Sequence, residues 1–509
     1  MNRYSRNAAS LLATCCFGAI VPFAAAQAQV DALAAGVQAA DDALPSVVVT
    51  ARRRTENLQD VPLAVTAITA GTIQAQDITS LSDLNSFVPN MKIAQDRATS
   101  STINVYIRGV GQNDPLWGFE PAVGVYIDDV YMARPQAALL DVIDADRLEI
   151  LRGPQGTLYG KNTIAGAIKY VTHDITGPLS FTMSATAGNY GEHDFKLNFS
   201  TPVISDHVYF GFALADLQHD GYGHVVAQAG TTPSPYNFVG QDVSNKDVLA
   251  GRANLTILWG ESSKLKIIAD ETLDNSNASG GQRLNNYLAP VLSDPFDTRT
   301  DMPVDKDFFH RSGTSATYTQ SLTDRLDFKL VGAYREGHGQ QFIDFEELNE
   351  NLFQVPGHYN DRQGSGEGQL TFTNDLVKAV GGVFYMNSTA CGDYNASLGV
   401  LAAPPPDGFG IYLTSLVQGC VQTKSTAVYA DTAWKLSDRM NLDAGLRWNQ
   451  DQKTAQVYQA QYASVAPNQL LPDEQFFNAA APPAGFFLFP TPAAGILTNY
   501  TNSRTFSNV

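Results

Sequence analysis

Histidine and cysteine are scarce in this chain. Eight histidines and four cysteines serve 509 residues. The histidines fall singly, no CxxC occurs, and no spacing matches a zinc ligand set, so no resident metal or other cofactor is expected. Long apolar runs are scarce too. Beyond the N-terminal segment nothing approaches the roughly 20 residues a spanning helix needs. Basic residues are outnumbered, 33 Lys and Arg against 51 Asp and Glu, for a net charge of −18. That leaves no basic patch with which to displace counterions from nucleic acid, so no nucleic-acid partner is expected. A nucleophile, base and orienting acid in a supporting motif are also missing, which argues against an enzyme.

The glycine-rich stretch LRGPQGTLYGKN, residues 151–162, raises one more class, phosphate binding. A P-loop needs four residues between its glycines and a hydroxyl after its lysine, to wrap phosphate and hold Mg²⁺. Here Gly156 and Gly160 enclose only three residues, and Asn162 follows Lys161. The stretch is a tight turn awaiting another explanation.

What is present begins with an export signal, residues 1–28. Arg3 and Arg6 precede an apolar run from Ala8 to Val21, and Ala24-Ala25-Ala26-Gln27-Ala28 supplies small residues for cleavage near Ala26 or Ala28. A lipoprotein-type site at Leu12-Ala13-Thr14-Cys15 is the weaker reading, because Thr14 is bulky and the apolar core would be very short. Cys15 and Cys16 leave with the signal. Cys391 and Cys420 remain in the exported protein, where a disulfide is favoured over two free thiols. Asn387 to Gln422 reads as a long polar loop, and closing about 30 residues within it would restrict the unfolded chain by about 3–4 kcal/mol.

Period-two segments fill the second half. In Arg325–Arg335, Leu326, Phe328, Leu330, Gly332 and Tyr334 share one face, and Arg325, Asp327, Lys329, Val331, Ala333 and Arg335 the other. From Met440 to Asn449, Met440, Leu442, Ala444, Leu446 and Trp448 oppose Asn441, Asp443, Gly445, Arg447 and Asn449. Val208, Phe210, Phe212 and Leu214 alternate in the same way, as do Leu255, Ile257 and Trp259. Short polar turns at Ser205-Asp206, Gly260 to Ser263, Thr323 to Arg325, Asn374-Asp375 and Ser437 to Arg439 alternate with long polar segments such as Asp274 to Phe309. Tight turns on one side and long loops on the other are the asymmetry of an outer-membrane β-barrel, and Tyr334, Trp259, Trp434 and Trp448 suit its aromatic girdles. A soluble sandwich rarely needs several loops of about 30 residues on one side.

Residues 45–175 differ in kind. Strands are expected at Pro62–Ile68, Asn104–Arg108, Val123–Ile127, Arg147–Leu151 and Ala165–Val171, with a turn at Asp128-Asp129. Short capped helices are expected at Thr72–Asp77 and Ser82–Phe87. The fold class is thus an α+β domain followed by an antiparallel transmembrane β-barrel.

PSVVVTARRR (45–54), QDVPLAVTAIT (59–69), VYIRGVG (105–111), VGVYIDDVYM (123–132) and DRLEILRGPQGTLYGKNTIAGAIKYVT (146–172) resemble, in order, the plug domain of TonB-dependent outer-membrane receptors. The departures are small: Ala165 replaces a common glycine, and Lys169 stands where asparagine is usual. The resemblance implies a division into signal peptide 1–28, N-terminal segment 29–54, plug 55–175 and barrel 176–509. It implies about half of a 22-stranded barrel, with the plug inside the lumen. Ser46, Val47, Val48, Val49, Thr50 and Ala51 would form the TonB box, pulled by the TonB energy-transducing protein in the periplasm. The valine run favours a strand with no sheet partner of its own, open to strand addition. Arg108, Gly109, Asp128, Arg147, Glu149, Arg152, Gly153, Pro154, Gly156, Tyr159, Gly160 and Gly166 become plug-motif and docking candidates. Arg147, Glu149 and Arg152 are expected to face charges on the barrel wall, Gly153-Pro154 and Gly156 to reverse the chain, and Tyr159 to pack the corner.

The function implied is energised uptake of a scarce small extracellular ligand, such as a ferric siderophore, across the Gram-negative outer membrane. The alternatives are a passive porin, uptake of a non-iron ligand such as cobalamin or an oligosaccharide, and, more remotely, a barrel enzyme or adhesin. About 20 residues between the cleavage site and Val47 leave no room for a signalling domain, and the haem-receptor motifs FRAP and NPNL do not occur. Twelve strands would close at a backbone radius near 12 Å, against about 22 Å for 22 strands. A plug of about 130 residues has a radius near 18 Å. The barrel is therefore expected to be incomplete and open along one edge.

Overall fold

The computed structural model describes residues 47–464, except 77, 96–100, 114–115, 135–143, 229–237, 287–288, 306, 350–351, 399–411 and 438, together with 486–488 and 500–508. The expected signal peptide and Ser46 lie outside the described residues.

The first described element is a hairpin of β1 (Val48–Val49) and β2 (Glu56–Asn57). Next come β3 (Val65–Thr69), α1 (Ala70–Ala75), β4 (Met91–Gln95), β5 (Ile103–Ile107) and β6 (Val110–Gly111). β7 (Val123–Ile127), β8 (Val130–Met132), β9 (Ala145–Arg152) and β10 (Gly166–Thr172) complete the plug. Thr69 caps α1, accepting from the Thr72 N–H at 3.4 Å. The second expected helix is a 3₁₀ segment, Leu81–Ser86, whose Asp83 carboxylate turns back to the N–H groups of Thr79 and Ser80, both at 2.9 Å. Five strands form one sheet in the order β3-β9-β10-β7-β8, with β10 and β7 parallel. Its core is Ile68, Leu81, Leu84, Ile107, Val125, Leu148, Ile150 and Ile168. Asp128 and Asp129 join β7 to β8 with φ of 45° and 70°. Positive φ at both central residues is what a two-residue hairpin turn with the right twist demands, and Asp tolerates it.

The barrel sheet runs through β11 (Ser180–Ala187), β12 (His193–Ile204) and β13 (Val208–His219). A side hairpin of β14 (Gly223–His224) and β15 (Asp242–Val243) follows. The sheet resumes with β16 (Lys246–Trp259), β17 (Ser263–Asp274), β18 (Phe308–Thr323), β19 (Leu326–Asp344), β20 (Gln354–Thr373) and β21 (Val377–Leu398). It ends with β22 (Tyr412–Ser437), β23 (Met440–Ser464), β24 (Phe486–Leu488) and β25 (Tyr500–Asn508). It is thirteen-stranded and antiparallel, and both β24 and β25 pair with β23. Among the described residues no ladder joins β11 to the far edge.

The face predicted to be apolar points outward. Leu330 and Tyr334 are 49% and 48% exposed, whereas Val331 and Arg335 on the opposite face are 4% and 3%. Water would not select that arrangement; hydrocarbon outside and a filled lumen inside would. Tyr334, Tyr385 and Trp448, all exposed, each lie eight residues after the first residue of β19, β21 and β23, as suits an aromatic girdle. Trp259 marks the opposite rim, beside the tight turn at Gly260, whose φ is 62°.

One expected loop is not a loop. Asn387 to Gln422 continues β21 and β22 as paired strand on both sides of 399–411, and Cys391 lies directly opposite Cys420 in the ladder. The two are joined in a disulfide that closes 29 residues within the sheet rather than within a loop. The cause is physical. A 26-residue strand such as β22 rises about 65 Å at a tilt near 40°, far beyond an apolar band about 25 Å tall. Above the bilayer the outward residues turn polar, so the alternation of hydrophobicity fades while the ladder persists.

Candidate functional site

The segment predicted to be the energy-coupling handle is folded down, not free. β1 pairs with β2 through Val48↔Asn57 and Val49↔Glu56, which corrects the expectation of a strand without a partner. Val49 and Ala51 are fully buried and Val48 faces outward at 43% exposure. The missing signal was the return strand, because Glu56-Asn57 carries no apolar residue. Three plug side chains then hold the backbone that follows. Glu149 accepts from the Thr50 N–H at 2.8 Å and from its hydroxyl at 3.1 Å. Lys169 donates to the Thr50 carbonyl at 3.1 Å and to its Oγ1 at 2.7 Å. The Tyr159 hydroxyl donates to the Ala51 carbonyl at 2.9 Å.

Next in sequence, Arg52, Arg53 and Arg54 fan out to the barrel wall. Arg52 meets Asp431 on β22 at 2.8 Å and Asp443 on β23 at 2.7 Å. Arg54 reaches the same Asp431 at 3.1 Å and Glu56 at 3.1 Å. Arg53, in a left-handed conformation with φ 60°, turns the other way to Glu367 on β20 at 3.2 Å and Asp129 of the plug at 3.6 Å. Its guanidinium also covers the ring of Tyr159, 4.7 Å from the centroid. Asp129 gathers Lys169 at 3.0 Å and Lys329 of β19 as well. Burial alone would raise the Asp129 carboxyl; Lys169, Lys329 and Arg53 overcome it and hold it well below the usual carboxylate range. Burial likewise works to lower the Arg53 guanidinium, and Glu367 and Asp129 reverse that. Asp129 is thus the node joining handle, plug sheet and wall.

Further ion pairs tie the plug around the sheet. Asp144 binds Arg252 on β16. On β17, Lys266 meets Asp128 at 3.1 Å and Lys264 meets Asp174 at 2.6 Å. Lys161, the lysine of the rejected phosphate loop, binds Glu120 at 2.7 Å, and Lys453 on β23 binds the same carboxylate at 2.6 Å. Burial pushes Glu120 upward, and the two ammonium groups more than reverse it, holding it at about 2.

The predicted docking residues divide. Asp128 reaches the barrel. Arg147 and Glu149 do not: they pair with each other at 2.7 Å inside the plug, Arg147 also with Asp146 at 2.7 Å. Arg152 makes no ion pair among the described residues, and its buried Nε has no hydrogen-bond partner. The expectation that this trio faces the wall is corrected. β9 lies inside the plug sheet, between β3 and β10, and its Arg147 and Glu149 meet Thr50 rather than the wall. Gly153, Gly160 and Gly166 take φ of 113°, 82° and 156°, whereas Gly156 takes no positive φ. A side chain at Gly160 would strike Arg447 of β23, 2.5 Å away. Pro154 lies in the same turn between β9 and β10. Arg108 and Gly109, φ 53° and 78°, turn β5 into β6, and the exposed Arg108 lies 3.2 Å from where a Gly153 Cβ would stand. The sequence reading missed Asp129, Glu120 and the arginine triplet, although the charged faces of Arg325–Arg335 and Met440–Asn449 contain their partners Lys329 and Asp443.

A second feature lies at the opposite end of the plug. Leu116, Trp117, Phe309, Tyr359, His358, Asp393 and Tyr394 border a narrow cleft. Phe309 and Tyr359 rings lie 5.6 Å apart, and His358 meets Asp393 at 3.2 Å. The Trp117 ring fits because Gly392 and Gly419, directly opposite each other beside the disulfide, offer no side chain. A Cβ at Gly392 would stand 2.5 Å from the indole, and one at Gly419 3.0 Å. The mirrored Cys-Gly and Gly-Cys pairs were the available signal.

Comparison with known proteins agrees with this architecture. The TonB-dependent Receptor Plug Domain model matches residues 57–167, and the TonB dependent receptor-like beta-barrel model matches residues 258–497. The pesticin receptor of Yersinia enterocolitica is 23% identical over 407 residues, 77% of this chain and 54% of that protein. The vitamin B12 transporter BtuB of Vibrio vulnificus is 29% identical over 160 residues, 31% of this chain and 25% of its own. Among solved structures, the ferric yersiniabactin uptake receptor FyuA of Yersinia pestis superposes with a TM-score of 0.64 at 18% identity, covering 87% of this chain and 61% of that one. The ferric-catecholate import receptor Fiu of E. coli K12 gives 0.59 at 12% identity, covering 91% and 69%. The chain spans about half the length of the pesticin receptor it matches. With plug and barrel models matching in the family's order, on a fold that contains both, the chain belongs to the TonB-dependent receptors.

Proposed function

We propose that the protein works in the Gram-negative outer membrane as a receptor for energised uptake, with Ser46 to Ala51 as the TonB box. The observation that carries this is the latch: tension applied upstream of Val47 is met by Arg52, Arg53 and Arg54, whose side chains grip β20, β22 and β23. Pulling there transmits force to the contacts that dock the plug. A passive porin is the rival, and plug ion pairs to β16, β17, β19, β20, β22 and β23 speak for a filled lumen. No side chain is assigned a catalytic role. The ligand we favour is an iron chelate of the ferric-siderophore class carrying aromatic or flat apolar groups, held at the mouth of the cleft beside the buried rings of Trp117, Phe309 and Tyr359. The names of FyuA and Fiu, both iron-chelate receptors, support it.

Uptake of radiolabelled ferric catecholate, ferric phenolate, cobalamin and oligosaccharide probes tests the reading. One ferric chelate should accumulate, and a proton uncoupler should abolish accumulation while leaving surface binding. Accumulation indifferent to the uncoupler would favour the porin. Energised uptake of cobalamin or an oligosaccharide would keep the mechanism and replace the ligand.

A further inference from the structure

On the loop side of the sheet, four oxygen-bearing side chains from three segments converge away from the cleft. Asp301 comes from the connection between β17 and β18, Asp344 ends β19, Glu346 follows it, and Gln354 begins β20. Carboxylate oxygens of Asp301, Asp344 and Glu346 lie within 4.8 Å of one another. Gln354 faces Asp344 across the ladder, is 1% exposed, and touches Asp301 through its amide nitrogen. Its carbonyl Oε1 is buried with no hydrogen-bond donor. Asp344 and Glu346 each spend one oxygen on backbone N–H groups: Asp344 Oδ1 accepts from Glu346 at 3.0 Å and Glu347 at 2.9 Å, and Glu346 Oε1 from Leu352 at 2.7 Å. Their second oxygens, Oδ2 and Oε2, are buried without a partner. Three buried oxygens without donors thus belong to side chains that meet at one junction, where the carboxylates are crowded.

We propose that Asp301, Asp344, Glu346 and Gln354 bind a calcium ion that staples the β17–β18 loop to the β19–β20 turn. The donor set is all oxygen, with no imidazole or thiolate, which selects a hard cation over zinc or copper. Mg²⁺ keeps several of its waters and is rarely held by an all-protein cage, whereas Ca²⁺ takes six to eight oxygens from carboxylates and amide carbonyls, the donors gathered here. Carboxylates packed this closely repel one another, and a divalent ion would supply the opposing charge. The neighbouring contacts show what would be fastened. Arg283 donates to the Glu346 carbonyl at 2.9 Å, Thr298 to Glu347 at 2.7 Å, and Asn349 to the Thr300 carbonyl at 3.0 Å, all across the same junction. The site is independent of the transport reading, because it orders a loop whatever the barrel carries.

The test uses the detergent-solubilised protein free of lipopolysaccharide, which binds calcium itself. Calorimetric titration with calcium chloride should show one site with Kd between about 10⁻⁶ and 10⁻³ M, absent in the Asp344→Asn/Glu346→Gln double variant. Because that variant could misfold, tryptic cleavage at Arg283 and Arg299 in the wild-type protein gives a second readout. Calcium should slow cleavage in this loop at least about tenfold relative to a chelator, with magnesium at the same concentration far less effective. Cleavage at equal rates with calcium and chelator, or equal protection by magnesium, would overturn the proposal.

Discussion

Arg53 shows how one side chain carries the plug's attachment. It is buried, its φ is positive, and it answers two carboxylates on different bodies, Glu367 of the wall and Asp129 of the plug. Removing it leaves Glu367 buried without its cation, while Asp129 keeps Lys169 and Lys329, so Arg53→Ala should cost about 3 kcal/mol of plug docking. The check is the urea concentration at which the plug becomes protease-sensitive, compared with a barrel signal; an unchanged midpoint would show that Arg53 is dispensable. Glu120 gives a pH-dependent counterpart. Its folded value, about 2, lies below the ordinary 4.5. Its contribution is therefore complete above about pH 4.5 and is lost as pH falls through about 2. The melting temperatures of wild type and Glu120→Gln should differ by a constant amount above about pH 5 and converge near pH 2. A difference that already vanished at neutral pH would contradict the assignment. Lys169 shows what single-residue reading can and cannot deliver. It was legible only as a departure from the family's asparagine, and its work, gripping Thr50 and Asp129 together, depends on β10 lying beneath the handle.

At the scale of elements, strands of ordinary length were legible because alternation and turn chemistry agree; Val123–Ile127 falls where its β-branched run begins and ends. The tall strands were not, since β21 and β22 lose their apolar face above the bilayer while keeping their ladder. The handle was legible as a strand and not as a paired one. Two ladder pairs between β1 and β2 hold little by themselves, at about 1 kcal/mol net per hydrogen bond. Thr50 and the arginines hold the rest. Packing of plug on wall is tested where Gly392 admits Trp117. Gly392→Ala should overpack the contact at a cost of about 1–3 kcal/mol and displace the indole. Acrylamide quenching of Trp117, with Trp259, Trp434 and Trp448 replaced by phenylalanine, should rise. Quenching equal to that of the parent would mean the ring does not rest on the Gly392–Gly419 patch.

Across the whole molecule, an acidic chain with an outward apolar belt and an inward charged wall places its ionic residues where the plug docks. The charged face of Met440–Asn449 supplies Asp443 to Arg52, and Arg447 lies over the ring of Tyr429 and against Gly160. The existence of an inner charged face was readable from period two; which plug residue meets which wall residue was not, because those pairs lie hundreds of residues apart. The central claim is that Val47 to Arg54 couples an external pull to this docked plug. It is tested most directly by Val48→Pro, which removes an N–H and fixes φ in β1 while leaving the apical cleft untouched. The measurement is the accumulation rate of the bound ligand in cells with an intact proton gradient, alongside its surface binding. The account predicts wild-type binding with energised accumulation lost. Accumulation at the wild-type rate would contradict it.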